Sequence, residues 1–284
     1  MAEHKKKGTL YVVATPIGNL EDVSYRAIRV LKEADLIACE DTRHTAKLLQ
    51  HYGIDKTTVS YHEHNEVERA EELIAKLEQG LSIAQVSDAG TPGVSDPGYR
   101  VIKLAIERGV QVVPVPGPSA LLAALAAGGL PTDSFEFHGF LPAKSGQRRS
   151  LLESLRDSQN TVVVYEAPHR IAETMKDIVE LLGAKRPIVL ARELTKVHEE
   201  FLRGTAEEVL AQAQEHELKG EITLLIGKSE ERAVASAKQG IASRLDEIMR
   251  EQKIDEKAAL KILAKERGLS KSDVYREFQR KKNR

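Results

Sequence analysis

The sequence predicts an α/β protein of two domains with largely parallel sheets, followed by a small helical extension at the C-terminus. Three observations support this fold class. Short apolar segments rich in β-branched residues alternate with segments of helical periodicity in residues 9–126, and again in residues 135–226. Glycine and proline residues in 128–134 separate the two series, because these residues end a helix. After residue 240 only short segments of helical periodicity follow.

The first domain is predicted to span residues 1–127. A repeated strand–helix series of this kind predicts parallel strands covered by helices on both faces of the sheet. The expected strands are Leu10–Ala14, Leu36–Cys39, Val59–Tyr61, Ile83–Val86 and Val110–Val115. The expected helices are Val23–Ala34, Thr42–Tyr52, Glu66–Glu78, Gly98–Glu107 and Ser119–Ala127.

A second α/β domain, residues 135–228, is predicted after the linker 128–134. Its expected strands are Phe135–Phe140, Thr161–Tyr165, Ile188–Ala191 and Ile222–Ile226. Its expected helices are Gln147–Arg156, Ile171–Leu182 and Thr205–Gln214. A polar linker, residues 229–240, is expected to follow.

The extension, residues 241–284, is predicted to form three short amphipathic helices: Ile241–Glu251, Asp255–Arg267 and Ser270–Arg280. Asp255 and Ser270 are residue types that cap helix N-termini, and Gly268 suits a tight turn. Six apolar residues are expected to pack together: Ala259, Ile262, Leu263, Leu269, Val274 and Phe278. This pattern is typical of a helix-turn-helix.

The composition, 41% hydrophobic and 30% charged, is typical of a soluble globular protein. No apolar run has the length of a membrane span, and the N-terminus lacks the apolar core of a secretory signal, so no membrane contact and a cytoplasmic location are expected. The single cysteine, Cys39, excludes a disulfide within the chain and a cysteine-based zinc site.

Positive charge is concentrated at the C-terminus. Residues 236–284 contain 14 Lys and Arg against 8 Asp and Glu, whereas the whole chain has a net charge of −1. A basic tail on an acidic body suggests a contact with nucleic acid, although a solvated helical tail would have the same composition.

Loops rich in glycine, proline and polar residues follow four of the expected strands. The carboxyl ends of parallel strands lie at one edge of a sheet, which is where ligands bind in such folds. The loops are 14–20, 86–98, 115–120 and 165–170. Together they favour a ligand crevice, although each alone is also consistent with a tight connection.

The motifs that the sequence contains, and those that it lacks, disfavour several classes of ligand. No Gly-x-Gly-x-x-Gly follows the first strand and no Gly-x-x-x-x-Gly-Lys-Ser/Thr occurs, which disfavours dinucleotide binding and phosphate-loop chemistry. His62 and His64 would share a strand face but lack a third metal ligand, so no metal is expected. Arg43 could grip a phosphate or form a surface ion pair, whereas Asp41 suits the cap of the following helix.

The motifs, taken in order, resemble one family. They are residues 15–20, 39–43, 61–66, 87–92, 115–120, 165–170, 191–196 and 220–222. In this order they are similar to the bacterial 16S rRNA (cytidine-2′-O)-methyltransferases, which have the tetrapyrrole-methylase fold. The resemblance implies a homodimer that binds S-adenosylmethionine between its two domains. It also implies methylation of a cytidine ribose in the decoding centre of the small ribosomal subunit.

By position, the resemblance assigns cofactor contacts to both domains. In the first domain they are Pro16, Asp88, Ala89, Gly90, Thr91, Val94, Asp96, Ser119 and Ala120. In the second domain they are Glu166, Ala167, Thr195, Glu221 and Ile222. The candidate substrate contacts are Arg43, Asn65, Arg170 and Lys196. A ribose hydroxyl needs a base, for which His62, Glu63, Glu166 and His169 remain open alternatives.

Two other functions are consistent with the same fold. Relatives that methylate carbon atoms of tetrapyrroles carry Gly-Asp-Pro where this sequence has Gly90-Thr91-Pro92. A tetrapyrrole C-methyltransferase is therefore one alternative. A non-catalytic RNA-binding factor that retains the crevice is the other.

Overall fold

A parallel sheet organises the first half of the chain. The computed structural model describes residues 7–215, 218–229, 241–252, 254–267 and 270–282. The strands of the first sheet are β1 Thr9–Val13, β2 Leu36–Cys39, β3 Thr58–Ser60, β4 Ile83–Val86 and β5 Gln111–Val115. Their order is β3-β2-β4-β1-β5, and every neighbouring pair is parallel, as predicted.

Helices cover both faces of this sheet. They are α1 Tyr25–Glu33, α2 Thr42–His51, α3 Glu66–Glu78 and α4 Tyr99–Glu107. Helices α1 and α2 bury Leu31 and Leu49 on the face that also contains Ile37. Helices α3 and α4 bury Leu73 and Val101 on the opposite face with Leu10. Because both faces are covered, the central strands β1, β2 and β4 are mainly apolar rather than alternating.

The second sheet corrects the prediction of largely parallel sheets. Its strands are β6 Phe135–Phe140, β7 Thr161–Glu166, β8 Pro187–Arg192, β9 Glu200–Thr205 and β10 Ile222–Ile226. Their order is β6-β7-β10-β8-β9, and only β6 and β7 are parallel. Strand β9 was not predicted from the sequence; it forms a hairpin with β8 and thereby reverses the chain direction. The other helices of this half are α6 Ser145–Ser154, α7 Ile171–Leu182 and α8 Ala206–Glu215.

Helix α5, Ala120–Gly128, connects the two halves. It follows β5 of the first sheet, yet it buries Ala124 and Leu125 against Val163 and Leu225 of the second sheet. Arg203 on β9 donates hydrogen bonds from Nη2 to the carbonyl oxygen of Ala127, at 2.8 Å, and from Nε to that of Gly128, at 3.2 Å. The last turn of α5 is therefore capped by the second sheet.

The extension forms three helices, α9 Ile241–Gln252, α10 Glu256–Arg267 and α11 Lys271–Lys282, as predicted. They bury a core of their own that includes Leu245, Leu263 and Phe278. The backbone amides of Ala258 and Asp273 donate to the side chains of Asp255 and Ser270, which confirms both predicted caps. The predicted linker residues 230–240, the predicted turn residue Gly268 and the predicted core residue Leu269 lie outside the described residues.

No helix in the described part of the chain combines the length and apolarity that a membrane crossing requires.

Candidate functional site

A cavity of about 310 Å³ lies where the loops after β1, β4, β5 and β7 meet the start of β10. We call it the central cavity. The predicted cofactor residues in its wall are Ala89, Gly90, Thr91, Val94, Asp96, Ser119, Ala120, Glu166, Ala167, Glu221 and Ile222. Residues of both sheets therefore form one cavity, at the sheet edge where a crevice was predicted.

Backbone hydrogen bonds fix two of these loops against each other. The amide of Thr15 donates to the carbonyl oxygen of Gly90 at 2.8 Å, and the amide of Gly90 donates to that of Thr15 at 3.1 Å. Gly90 has a φ of 78°, which glycine adopts without strain. The β4 loop also approaches the second sheet, since a Cβ placed on Gly139 would lie 3.0 Å from Ser95 Oγ.

The wall of the central cavity includes Asp96, a carboxylic acid with an unusually high pKa. Burial raises its pKa to about 6, with further contributions from the charges of Glu40 and Asp88, while a hydrogen bond with Ser87 opposes the rise. Burial and the charge of Asp88 also raise the pKa of Glu40, and nearby His62 opposes only part of this rise. An acid with a pKa near 6 can accept a proton at neutral pH.

Glu166 is a cavity residue whose side chain is fully engaged inside the protein. Its Oε1 lies 2.5 Å from Arg170 Nη2 and accepts from the amide of Ala167 at 2.7 Å. Its Oε2 accepts from the Thr174 hydroxyl at 2.6 Å. Arg170 also donates to the carbonyl oxygen of Leu141. These bonds give Arg170 an interior role in place of the predicted phosphate contact, and they leave Glu166 poorly placed to act as a base.

Lys196 lies between the two halves of the chain. Its Nζ contacts Glu193 Oε1 at 2.7 Å and Glu221 Oε2 at 3.1 Å. Its aliphatic part rests on Gly18, where a Cβ would lie only 2.3 Å from Lys196 Cγ. Although burial opposes it, hydrogen bonds with Glu193 and Glu221 raise the pKa of Lys196, so the amine stays charged.

A second cavity, of about 300 Å³, adjoins the first. We call it the lateral cavity. It shares Ile17, Ala89 and Glu221 with the central cavity. Its remaining wall contains the predicted residues Pro16, Asp88 and Lys196, together with four residues of α2, which are His44, Thr45, Lys47 and Leu48.

Several predicted residues line neither cavity. Asn65 accepts from the amide of His62 at 2.9 Å and donates to the carbonyl oxygen of Ser60, so it stabilises a local turn. His62 and Glu63 lie in the same turn, outside both cavities. The Arg43 side chain is 89% exposed and contacts Asp41 at 2.8 Å, and Asp41 caps α2 as predicted.

His169 and Thr195 also lie outside the walls of the central and lateral cavities. His169 lines a separate space of about 470 Å³, the second-domain cavity, which shares Pro168 and Gly220 with the central cavity. Thr195 adopts a φ of 67° and has a buried hydroxyl oxygen without a hydrogen-bond partner. Its amide donates to Glu199, and its position is beside Lys196 rather than in a cavity wall.

Other residues that line the central cavity were not predicted individually as cofactor contacts. They are Ile17, Ser95, Phe140, Tyr165, Pro168, Gly220 and Thr223. Phe140 and Tyr165 form an edge-to-face pair with ring centroids 5.4 Å apart. Both lie in predicted strands, where an aromatic residue indicates a packed core. Their positions at the strand ends were the one signal for a site. Among the described residues, no group of three or more His, Cys, Asp or Glu side chains could hold a metal ion.

The fold and this crevice define a class of methylases. The sequence pattern of the tetrapyrrole (corrin/porphyrin) methylases matches residues 9–210, and the chain belongs to this family. Uroporphyrin-III C-methyltransferase from Thermus thermophilus, solved in complex with S-adenosylhomocysteine, aligns with a TM-score of 0.55 at 21% identity, over 79% of this chain and 99% of that chain. Diphthine synthase aligns with a TM-score of 0.62 at 15% identity, over 78% and 90%. These structures share the fold.

Curated relatives narrow the family further. The chain is 48% identical to a protein of Halalkalibacterium halodurans, over 95% of this chain and 94% of the relative. It is 46% identical to a protein of Synechocystis, over 94% and 96%, and 44% identical to one of Escherichia coli O157:H7, over 95% and 94%. All three are named ribosomal RNA small subunit methyltransferase I, and the chain belongs to their family.

Proposed function

We propose that the protein transfers a methyl group from S-adenosylmethionine to the ribose 2′-hydroxyl of cytidine 1402 in 16S rRNA. The coarser function is that of an S-adenosylmethionine-dependent methyltransferase of small-subunit rRNA. The observation that carries it is the identity of 44–48% with relatives of that name over nearly the whole chain. A homodimer and a cytoplasmic location, where ribosomes are assembled, remain part of the proposal.

The central cavity fits S-adenosylmethionine in size and chemistry. Its volume of about 310 Å³ lies at the lower end of the range of about 300–1,000 Å³ for small-molecule sites. Thr91 and Ser119 provide polar side chains, whereas Val94, Ala120 and Ile222 provide apolar contacts. When bound, this cofactor supplies a methyl group that its sulfonium already activates, so positioning contributes much of the catalysis.

The acceptor hydroxyl must lose its proton during transfer, and we assign that proton to Asp96. The acidic residues lining the central cavity are Asp96, Glu166 and Glu221. Glu166 is paired with Arg170, and Glu221 with Lys196. Asp96 has no cationic partner among the described residues, and its pKa of about 6 leaves it ionised yet basic at neutral pH.

The experiment compares two acceptors for labelled S-adenosylmethionine. We expect label in small ribosomal subunits from a bacterial strain lacking this methylation, recovered as alkali-resistant 2′-O-methylcytidine at position 1402. Subunits from a methylation-proficient strain are the control and should accept no label. Label on uroporphyrinogen instead would identify a tetrapyrrole C-methyltransferase, and no transfer to either acceptor would indicate a non-catalytic RNA-binding factor.

A further inference from the structure

We propose that the lateral cavity receives the target nucleotide, with Lys47 and His44 of α2 contacting its phosphate groups. This inference rests on the proposed function and names the part of the protein that holds the acceptor. It assigns binding roles to two residues that the sequence motifs left without one.

The first argument is position. In a direct transfer the acceptor oxygen must come within about 3–3.5 Å of the methyl group. The acceptor pocket must therefore open into the cavity that holds the donor. The lateral cavity lies directly beside the central cavity, since Ile17, Ala89 and Glu221 belong to both walls.

The second argument is charge. Lys47 and His44 are exposed on α2, and no ion pair with either is found in the part of the chain that the structure describes. Lys196, the other lysine in the wall of the lateral cavity, already forms ion pairs with Glu193 and Glu221. Besides Glu221, the lateral cavity wall contains the acidic residue Asp88, whose side chain accepts a hydrogen bond from the Asp41 amide at 3.1 Å. Among the described residues of this wall, Lys47 is thus the lysine without an ion pair, and it can meet a phosphate as a point charge.

The third argument is the interior of the cavity. Thr15, Thr45 and Ser87 are buried residues in its wall, and the Thr15 hydroxyl donates to the Ser87 carbonyl oxygen at 3.1 Å. Leu20 and Leu48 add apolar surface. A wall that combines apolar and hydroxyl groups with cations at one side matches a base, a ribose and a phosphate. RNA-binding proteins commonly take single-stranded nucleotides into pockets of this kind.

The second-domain cavity is the rival for this role because it also adjoins the central cavity. Its wall is mainly apolar, with Pro168, Ile171 and Leu218 among its residues. It offers His169 and Lys219 as its ionisable groups. Contacts from one half of the chain alone form it, whereas the lateral cavity joins both halves through Lys196 and Glu221.

The test separates acceptor binding from cofactor binding. Lys47→Glu should raise the KM for unmethylated small subunits about tenfold or more, which corresponds to the loss of one charge-assisted contact. The Kd for S-adenosylmethionine, measured by calorimetry without RNA, should stay at the wild-type value. Lys47→Arg should retain the wild-type KM for small subunits, since arginine keeps the positive charge.

Lys32→Glu is the matched control. It makes the same charge change in the last turn of α1, which lies at the opposite edge of the sheet from the loops. It should leave both constants unchanged. A wild-type KM for Lys47→Glu would overturn the assignment, as would a weakened Kd for the cofactor. A raised KM for His169→Ala with none for Lys47→Glu would place the acceptor in the second-domain cavity. If the wild-type chain methylates no subunits, the proposed function itself fails.

Discussion

Asp96 is a residue at which stability and activity oppose each other. Burial, followed by the charge of Glu40, raises its pKa from 3.8 to about 6. The folded chain therefore holds this proton more tightly than the unfolded chain does. Stability that the protonated carboxyl contributes is present below pH 3.8 and is lost as the pH rises through about 6. At neutral pH the ionised Asp96 destabilises the fold.

Asp96→Asn tests both sides of this balance. Removing a general base should lower kcat about 100-fold or more and abolish the acidic limb of the rate profile near pH 6. Removing a half-buried charge should raise the Tm at pH 7.5 by about 2–4 °C, equivalent to about 1 kcal/mol once solvent screening is allowed for. The first measurement is kcat at saturating cofactor between roughly pH 5 and 9, a range that includes the titration of Asp96. The second is the Tm from thermal denaturation.

The exposed Asp157 provides a control, because Asp157→Asn should change neither quantity. A weaker Kd for S-adenosylmethionine with an unchanged pH profile would mean that Asp96 only contacts the cofactor.

At the scale of elements, a buried ion pair joins α6 to α7. The Arg148 side chain is only 3% exposed, and its Nε donates to Asp177 Oδ2 at 2.8 Å. Asp177 Oδ1 also accepts from Arg149 Nη1 at 2.6 Å, and Arg149 contacts the largely exposed Glu180. Asp177 thus compensates a guanidinium that is removed from water.

Asp177→Ala should lower the free energy of unfolding by about 3–5 kcal/mol, because it leaves Arg148 buried with its main partner removed. Glu180→Ala removes an exposed partner of the same network and should cost at most about 1 kcal/mol. Urea denaturation of the two variants gives the comparison. Equal losses would show that burial does not set the value of these contacts.

Most helices and strands were predicted correctly from the sequence, as was the parallel first sheet, but the strand directions of the second sheet were not. Apolar strands such as β8 and β10 have the same composition in parallel and antiparallel sheets when both faces are buried. The connection between β8 and β9 decides the direction, and β9 was missed because this edge strand is only partly buried. Its residues therefore lack both a continuous apolar run and a clear alternation.

The candidate site was predictable where backbone makes it. Glycine and proline marked the loops that line the central cavity, so most of its wall was expected. The ion pairs and charge interactions among the side chains of the cavity wall were not predictable. Arg170 pairs with Glu166, which is only four residues away. The raised pKa of Asp96 depends on burial and on the charge of Glu40, which is distant in the sequence.

At the scale of the whole molecule, the extension is a separate basic module. It has its own core, so its loss should leave the body folded. Residues 236–284, which contain the extension, have 14 cationic against 8 acidic side chains. A module of this charge can bind the phosphate backbone of RNA without regard to sequence.

Deleting residues 236–284 should weaken binding to small-subunit rRNA and make the slope of log K against log salt less negative, since fewer counterions are released. Filter binding between roughly 50 and 200 mM salt measures this slope. The Kd for S-adenosylmethionine should not change, which serves as the internal control. Unchanged rRNA affinity and salt slope would assign the extension a different role.

Helix α5 has a consequence for how ligands enter and leave. The chain passes from the first sheet into α5 at Ser119, but α5 is packed on the second sheet and capped there by Arg203. A hinge at 128–134 would therefore move neither half relative to the other unless α5 were first torn from its contacts. Opening of the crevice must instead bend the chain ahead of α5, at Pro116-Gly117-Pro118, beside the cavity residues Ser119 and Ala120. Release of product would then deform the wall that holds it.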